Sequence, residues 1–312
     1  MKIGFVVPNF YPDLVGGAEF YLWHIANKLK EFGHQIDVFT QFGPKGTKEE
    51  ETINNIKIHR LKSYGFFYRV KVWKGLINKL RKDKLDVIIA LDYGQRSTWQ
   101  ALGYAKKKEI PALLIINDIH SLKVGRNFLK QIFMIIYDKV FARGIVDKAT
   151  KILARTSYTK KQVIKMWKIK EEKIEITPSG LTEEELQPGN AEEFEKKFGI
   201  RDNIILFLGR IRKQKGIFVL LRAFEKVKKE IPEAKLVYVG SDPKEYDGLE
   251  CAPILKKLAH EKKLKDVYFL GPLYGQDKID ALASCEVMAL PSSFENFGQA
   301  YSQSLAQEKP AI

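Results

Sequence analysis

The sequence has little cysteine and no long apolar run. Its 312 residues include two cysteines, Cys251 and Cys285, and neither stands in a CxxC or CxxH pattern. They supply neither a disulfide framework nor a zinc site, a usage typical of a reducing cytoplasm. No segment approaches the ~18 uninterrupted apolar residues that cross a bilayer. Pro8 and Asp13 interrupt the first apolar run, which therefore predicts a buried strand rather than a signal peptide.

Acidic residues are scarce in the first half of the chain. The formal net charge is +15, and residues 51–182 hold 28 lysines and arginines against 11 acidic residues, a local balance of +17. The rest of the chain is close to neutral, so an anionic partner is expected on the first half. With 45% hydrophobic and 29% charged residues, the composition indicates a soluble globular protein.

Apolar, β-branched runs alternate with amphipathic segments along the chain. The predicted strands are KIGFVVPNF, QIDVFTQ, NIKIHRL, DVIIALD, PALLIIND, TKILART, KIEITPS, NIILFLG, AKLVYVGS, DVYFLGPL and EVMALPS. The predicted helices cover residues 18–32, 97–107, 218–230, 253–263, 277–284 and 299–307. Strands that alternate with helices indicate βαβ units and parallel sheets, hence an α/β fold.

The acidic stretch GLTEEELQPGNAEEFEKKFGI interrupts this alternation and has no strand pattern. It predicts a boundary between two Rossmann-like domains, residues 1–182 and 183–312. Two such domains in tandem would place a ligand-binding cleft between the carboxyl ends of their sheets. The second domain is expected to be incomplete, because the final PAI resembles the opening of a strand without a continuation.

Two glycines follow the first predicted strand. In Gly16-Gly17-Ala18-Glu19, small residues before a helix would let backbone amides approach an anion. A tight turn into the helix would use the same two glycines. The pattern is not GxGxxG, so it does not indicate a dinucleotide.

The loop GRIRKQKG, residues 209–216, carries four cations at the start of a predicted helix. Such a cluster at the positive end of a helix dipole would repel itself unless an anion compensates it. Its place after the first strand of the second domain favours a diphosphate site over a solvated basic loop.

Two further polar groups follow predicted strands. Glu295 and Gly298 come after EVMALPS, and a carboxylate beside a helix N-terminus would hold ligand hydroxyls while free amides take phosphate. A helix-entry loop without a ligand would have the same pattern. His120 comes after PALLIIND, where it is either structural or a ligand group at a strand's carboxyl end.

The ordered set GGAE, IHS at His120, GRIRKQKG and PSSFENFG resembles the retaining nucleotide-sugar glycosyltransferases of the GT-B fold, family 4. The resemblance covers essentially the whole chain, and the set is specific although each motif is weak alone. It implies a nucleotide sugar held mainly by the C-terminal domain. It also implies a sugar or lipid-linked acceptor held mainly by the N-terminal domain, and transfer with retention of anomeric configuration.

The resemblance implies roles for individual residues. The implied catalytic residues are His120, Arg210, Lys215 and Glu295, and the implied donor-binding residues are Gly16, Gly17, Gly209, Phe297, Gly298, Gln299 and Gln303. Arg210 and Lys215 would neutralise the leaving diphosphate, Glu295 would contact sugar hydroxyls, and His120 would contact the transferred sugar. No metal or other cofactor is expected, because these cations can neutralise the diphosphate and no carboxylate cluster is evident.

The chain departs from the family pattern in two places. The family has a second glutamate, thought to hold the ribose hydroxyls, at the position of Gln303. A neutral amide there would lose roughly 1 kcal/mol, about fivefold to tenfold in donor affinity. Family members also continue past KPAI, so a truncated chain, or a partner chain or oligomer covering the C-terminal edge, is expected. A catalytically weak or inactive homologue that acts in binding or assembly is the alternative function.

Residues 63–84 and 125–144 interleave aromatic side chains with lysine and arginine. As membrane-surface helices they would hold a cytoplasmic enzyme against the anionic inner face of the membrane, where a lipid-linked acceptor would lie. In the alternative, their apolar positions face the core and their lysines face water. No nucleic-acid partner is expected, because no nucleic-acid module is recognised and the basic loop lies outside the basic half.

Overall fold

The chain divides into two compact units, Met1–Ser179 and Gly180–Ile312. The computed structural model describes residues 1–13, 17–43, 47–64, 72–117, 119, 128–243 and 249–312, with the backbone alone described at 128–131 and 133. The boundary predicted between residues 182 and 183 falls just inside the second unit. Each unit contains a largely parallel sheet with helices between its strands, which confirms the predicted α/β fold class.

The first unit contains one eight-stranded sheet and a small antiparallel ribbon. Its strands are β1 (Lys2–Val6), β2 (Gln35–Gln41), β3 (Glu50–Ile53), β4 (Ile56–Leu61), β5 (Ser63–Tyr64), β6 (Val72–Trp73), β7 (Val87–Leu91), β8 (Ala112–Ile116), β9 (Lys151–Ala154) and β10 (Ile174–Ile176). The sheet order is β10-β9-β8-β7-β1-β2-β4-β3, and β5 pairs with β6. The edge strand β3 is antiparallel to β4, while the other pairs are parallel.

Helices cover both faces of this sheet. They are α1 (Gly17–Glu31), α2 (Leu76–Asp83), α3 (Arg96–Lys107), α4 (Phe128–Tyr137), α5 (Arg143–Val146) and α6 (Ser157–Trp167), with a π-helical segment Asp138–Ala142 between α4 and α5. Along β7, Ile88 and Ala90 belong to one apolar cluster, whereas Ile89 and Leu91 belong to another. Because successive side chains of a strand point to opposite faces, β7 is buried on both.

The second unit contains a four-stranded parallel sheet. Its strands are β11 (Ile204–Leu208), β12 (Lys235–Val239), β13 (Val267–Gly271) and β14 (Val287–Met288), in the order β13-β12-β11-β14. Its helices are α7 (Ala191–Phe198), α8 (Ile217–Glu230), α9 (Cys251–Glu261), α10 (Gly275–Ser284) and α11 (Gln299–Ala306). Ala311 forms a parallel bridge with Met288, so the strand opening predicted at PAI pairs with β14.

The predicted strands and helices did not include β3, the ribbon of β5 and β6, α6 or α7. Strands β3, β5 and β6 are two to four residues long, which is too short for a clear alternating pattern, and α7 lies in the acidic stretch and buries a single side chain, Phe194. Residues 63–84 contain β5, β6 and α2 rather than one surface helix, and α2 buries Leu76 and Leu80. The core-facing interpretation therefore holds for this part of the segment. Within the described ranges, no helix combines the length and apolar character needed to cross a bilayer.

Candidate functional site

Two neighbouring strands of the second unit carry the candidate site. Strand β11 ends at Leu208 and leads through residues 209–216 into α8, and β14 ends at Met288 and leads through residues 289–298 into α11. The two strands are parallel, with Leu206 paired to Met288. Their carboxyl ends therefore lie at the same edge of the sheet, which brings the two predicted loops together.

Hydrogen bonds join the two loops directly. The Gln214 carbonyl accepts from the Ser293 amide at 2.9 Å and from the Ser293 hydroxyl at 3.1 Å, and Gln214 Nε2 donates to the Phe294 carbonyl at 3.3 Å. Gly216 has φ +71°, and a Cβ there would lie 1.9 Å from the Pro291 carbonyl oxygen. Only glycine fits this position without moving one of the loops.

Lys215 and Glu295 form an ion pair between Nζ and Oε1. The Ser292 hydroxyl donates to the same carboxylate oxygen at 2.8 Å. The Lys215 and Glu295 side chains are 21% and 23% exposed, so the pair is shielded but remains open to a ligand. The site thus holds, in contact, a cation suited to phosphate and an acceptor suited to sugar hydroxyls.

The N-terminus of α11 lies beside this pair. Gly298 precedes the helix with φ +70°, and no side chain caps it. Tyr301 packs where a Gly298 Cβ would lie, 2.5 Å from its ring, and donates from its hydroxyl to the Leu290 carbonyl at 2.7 Å. Burial, with a smaller effect of the Glu295 charge, raises the pKa of Tyr301. Uncapped amides at a helix N-terminus can bind phosphate oxygens.

Arg210 lies in the same loop as Lys215, and its side chain is exposed. Its neighbour Ile211 is buried and donates from its amide to the Ser241 carbonyl at 2.8 Å, which anchors the loop. No ion pair forms between Arg210 and an acidic group of the described residues. Its guanidinium is therefore available to an anion, as expected for a diphosphate ligand.

Gln303 lies in a hydrogen-bond network rather than at an open surface. It is buried, and its Nε2 donates at 2.6 Å to Glu185 Oε1, which also accepts from Lys278 Nζ at 2.8 Å. Burial alone would raise the pKa of Glu185, but Lys278, the Thr182 amide and Gln303 together lower it. A role for Gln303 in donor binding stays a prediction.

Sequence reasoning missed Glu185, Gln214 and Ser292. Glu185 lies in the acidic stretch that marked the boundary, and its contact with Gln303 spans 118 residues. No local pattern reports such a pairing. Gln214 and Ser292 lie inside the quoted motifs, so position within a strand-end loop was the one available signal.

Two predicted residues in the first unit lie outside the described residues, namely Gly16 and His120. Gly17 is the first residue of α1 and is exposed. The proposed roles of all three residues stay predictions. The structure thus brings Lys215, Glu295 and the N-terminus of α11 together, with Arg210 in the same loop as Lys215.

Comparisons with known proteins agree with this description. The family model described as Glycosyltransferase Family 4 matches residues 15–185, and that described as Glycosyl transferases group 1 matches residues 190–312. An uncharacterized glycosyltransferase of Methanocaldococcus jannaschii is 28% identical across 100% of the chain and 80% of that protein. An α-monoglucosyldiacylglycerol synthase of Acholeplasma laidlawii is 27% identical with the same coverage of both chains.

A solved structure of Anabaena HepE in complex with UDP has a TM-score of 0.76 to this chain. It is 16% identical over 100% of the chain and 80% of HepE, a level at which the similarity shows the fold. The model of Glycosyltransferase Family 4 covers more than half of the 312 residues. The chain therefore belongs to glycosyltransferase family 4 and is a glycosyltransferase of the GT-B fold.

Proposed function

We propose that this protein transfers a sugar from a nucleotide-sugar donor to an acceptor hydroxyl, with retention of anomeric configuration. The contact between Lys215 and Glu295 at adjoining strand ends is the observation that carries the proposal. It supplies a cation and a hydroxyl acceptor within the span of a sugar linked to a phosphate. The UDP complex of the structurally similar HepE supports a nucleotide-sugar donor.

Lys215 and Arg210 would bind the donor diphosphate, together with the amides that begin α11. Breaking the bond between the anomeric carbon and phosphate places negative charge on the diphosphate, and fixed cations stabilise that charge most in the transition state. Glu295 would hold sugar hydroxyls. Because Ser292 donates to the same oxygen that contacts Lys215, the second carboxylate oxygen of Glu295 is the better placed to accept from the sugar.

In the proposed step, the acceptor oxygen bonds to the anomeric carbon on the face that the diphosphate leaves. The acceptor's proton passes to the departing phosphate oxygen, so that charge and atoms balance. Because Arg210 and Lys215 provide two positive charges, the leaving diphosphate needs no metal ion in this proposal. His120 would contact the transferred sugar, and Gly16 and Gly17 would approach the donor or acceptor.

We further propose a lipid-linked acceptor at an anionic membrane surface. Five apolar side chains on α4 and the π-helical segment are exposed: Ile132, Ile135, Ile136, Val140 and Phe141. Lys139 is exposed within the π-helical segment, and Arg143 is exposed at the start of α5. A continuous apolar face with flanking cations suits the boundary of an anionic leaflet. The related diacylglycerol glucosyltransferase from Acholeplasma laidlawii supports a lipid acceptor.

Calorimetric titration of UDP-, GDP- and ADP-sugars tests the donor site. Wild-type protein should bind one of these donors saturably, and Arg210→Ala, Lys215→Ala and Glu295→Ala should each weaken binding about tenfold or more. Lys229→Ala is the matched control. It removes one positive charge from an exposed lysine in the last turn of α8, and this variant should bind the donor like wild type. Absence of binding to every donor would favour the inactive alternative, and β-configured product from an α-linked donor would contradict retention.

Co-sedimentation with vesicles tests the membrane proposal separately. Binding should rise when phosphatidylglycerol is added to phosphatidylcholine vesicles, and Ile136→Asp with Val140→Asp should abolish it. Phe32→Asp is the control, because Phe32 is 76% exposed and lies outside this face. Binding that does not depend on anionic lipid, or that survives the double substitution, would contradict the proposal.

A further inference from the structure

Three side chains meet in the first unit, away from the loops described above. They are Asp37 on β2, His59 on β4 and Asp83, the last residue of α2. One ligand atom from each lies within 4.8 Å of the others. Asp37 and His59 are fully buried, and the Asp83 side chain is 13% exposed.

Four side-chain atoms of these three residues have no hydrogen-bond partner in the described part of the chain. They are both carboxylate oxygens of Asp37, His59 Nε2 and Asp83 Oδ2. His59 Nε2 and Asp83 Oδ2 lie 3.9 Å apart. Buried polar atoms are almost always paired, because leaving them unpaired costs free energy. Unpaired ligand atoms this close together form an arrangement that a bound cation would satisfy.

The contacts of His59 fix the orientation of its ring. Its Nδ1 lies 3.2 Å from Glu50 Oε1, and its ring stacks on Phe39 at 5.0 Å between centroids. A carboxylate can only accept from Nδ1, so the imidazole that donates to Glu50 presents its Nε2 to the two aspartates. A carboxylate that orients a histidine in this way is a common arrangement behind metal ligands.

The charges of the cluster are not balanced. Asp37 and Asp83 bring two negative charges. Asp83 lies at the carboxyl end of α2, where the helix dipole disfavours a negative charge. Two cations are nearby. Lys79 pairs with Glu50. Lys2 Nζ lies 2.8 Å from Asp37 Oδ2, at an angle that makes no hydrogen bond, and 3.8 Å from Asp83 Oδ1. The Lys2 side chain is partly exposed. Its ammonium leaves His59 Nε2 and Asp83 Oδ2 without a hydrogen-bond partner among the described residues.

We propose that Asp37, His59 and Asp83 form a divalent metal site, with Zn²⁺ as the best-fitting ion. One imidazole nitrogen and two carboxylate oxygens are ligands that zinc accepts, whereas Mg²⁺ and Ca²⁺ prefer oxygen alone. Ligand atoms of one zinc ion lie within about 4 Å of each other, so small rotations of the carboxylates would close the site. The ion would join β2, β4 and α2 and stabilise the first unit, independently of the proposed sugar transfer.

Metal loading of the 312-residue chain tests this site. Protein dialysed against ZnSO₄ and then freed of unbound metal should retain one Zn²⁺ per chain, and its unfolding temperature should rise by about 5 °C or more. CoCl₂ in place of ZnSO₄ should produce a visible d–d absorption band. MgCl₂ and CaCl₂ at the same concentration should give neither effect.

Substitutions locate the bound ion. Asp83→Asn and His59→Gln should each lower zinc affinity at least tenfold and remove the cobalt band, since each loses a ligand. Asp86→Asn is the matched control, because Asp86 is exposed and its contact is the Lys2 amide at 2.7 Å, outside the cluster. Asp83 is the least buried of the three ligands, so its amide variant is the one most expected to fold.

Two results would overturn the proposal. The first is wild-type protein that retains no zinc and unfolds at the same temperature with and without it. The second is equal zinc retention by wild type, Asp83→Asn and His59→Gln. Neither result depends on donor binding, so failure here is distinguishable from failure of the proposed transferase site.

Discussion

At the scale of single residues, the partly buried Glu185 is held as a carboxylate by Lys278, the Thr182 amide and Gln303 together. Gln303 Nε2 donates to Glu185 Oε1, and the pKa of Glu185 is lowered although its burial acts in the opposite direction. In the native chain, the stabilisation from the Lys278, Thr182 and Gln303 contacts is present above the ordinary pKa of a glutamate. It is lost as pH falls through the lowered value.

Gln303→Glu should reverse this dependence on pH. It places a second carboxylate against Glu185, so one of the two pKa values must rise. We expect a loss of about 1–3 kcal/mol in the free energy of unfolding at pH 7.5, shrinking as pH falls toward 5. Urea unfolding at both pH values measures it.

Gln303→Met is the control for that experiment. It removes the hydrogen bond at similar volume without adding charge, so its loss of stability should be nearly equal at pH 7.5 and pH 5. A Gln303→Glu protein that behaves like Gln303→Met at both values would show that the two carboxylates do not interact.

At the scale of elements, the two strand-end loops of the second unit act as one structure. Gly216 packs closely against the Pro291 carbonyl, while Gln214 forms hydrogen bonds with Ser293 and Phe294. The position of Lys215 therefore depends on the neighbouring loop as much as on its own. Displacing either loop would separate Lys215 from Glu295.

Gly216→Ala should destabilise the second unit and weaken donor binding together. A left-handed alanine costs about 1–2 kcal/mol by itself, and the clash with Pro291 adds to it. Gly199→Ala is the matched control: its φ is +67°, but a Cβ there meets nothing within 4 Å. It should lose the smaller amount of stability and keep donor affinity. Equal losses in both variants, measured by urea unfolding and calorimetry, would contradict the coupling of the loops.

The elements were largely predictable because most strands are buried on both faces and lie between long amphipathic helices. Strand β7 is an example, with its alternate residues in different apolar clusters. The edge strand β3 has the sequence EETI, which contains no apolar run. It becomes a strand because its backbone pairs with β4. The strand-end position of Glu295 was predictable in the same way. Its contact with Lys215, 80 residues away, was not predictable, because that contact depends on the pairing of β11 with β14.

At the scale of the whole molecule, the proposed activities divide between the two units. The positive charge excess of residues 51–182, the exposed apolar face and the proposed metal site belong to the first unit. The proposed diphosphate-binding cations and the proposed sugar-binding carboxylate, Glu295, belong to the second. Each unit has its own apolar core, so a ligand of one unit can stabilise it without ordering the other's core.

Hydrogen exchange should report this division. The bound nucleotide sugar should slow exchange most in residues 209–217 and 291–300, where the two loops and the start of α11 lie. Zinc should slow it most in β2 and β4. Mass spectrometry of peptic fragments measures both effects. Donor protection centred on β2 and β4, or zinc protection centred on the strand-end loops, would reject these assignments.

The ion pair between Lys215 and Glu295 also bears on turnover. In the proposed donor complex, the phosphate would compete with Glu295 for the lysine, and the sugar hydroxyls would occupy the carboxylate. Once the sugar had left, Glu295 would again lack a ligand and could pair with Lys215. We therefore expect the nucleoside diphosphate product to dissociate faster from the native enzyme than from Glu295→Gln, because the native carboxylate expels it by recapturing the lysine.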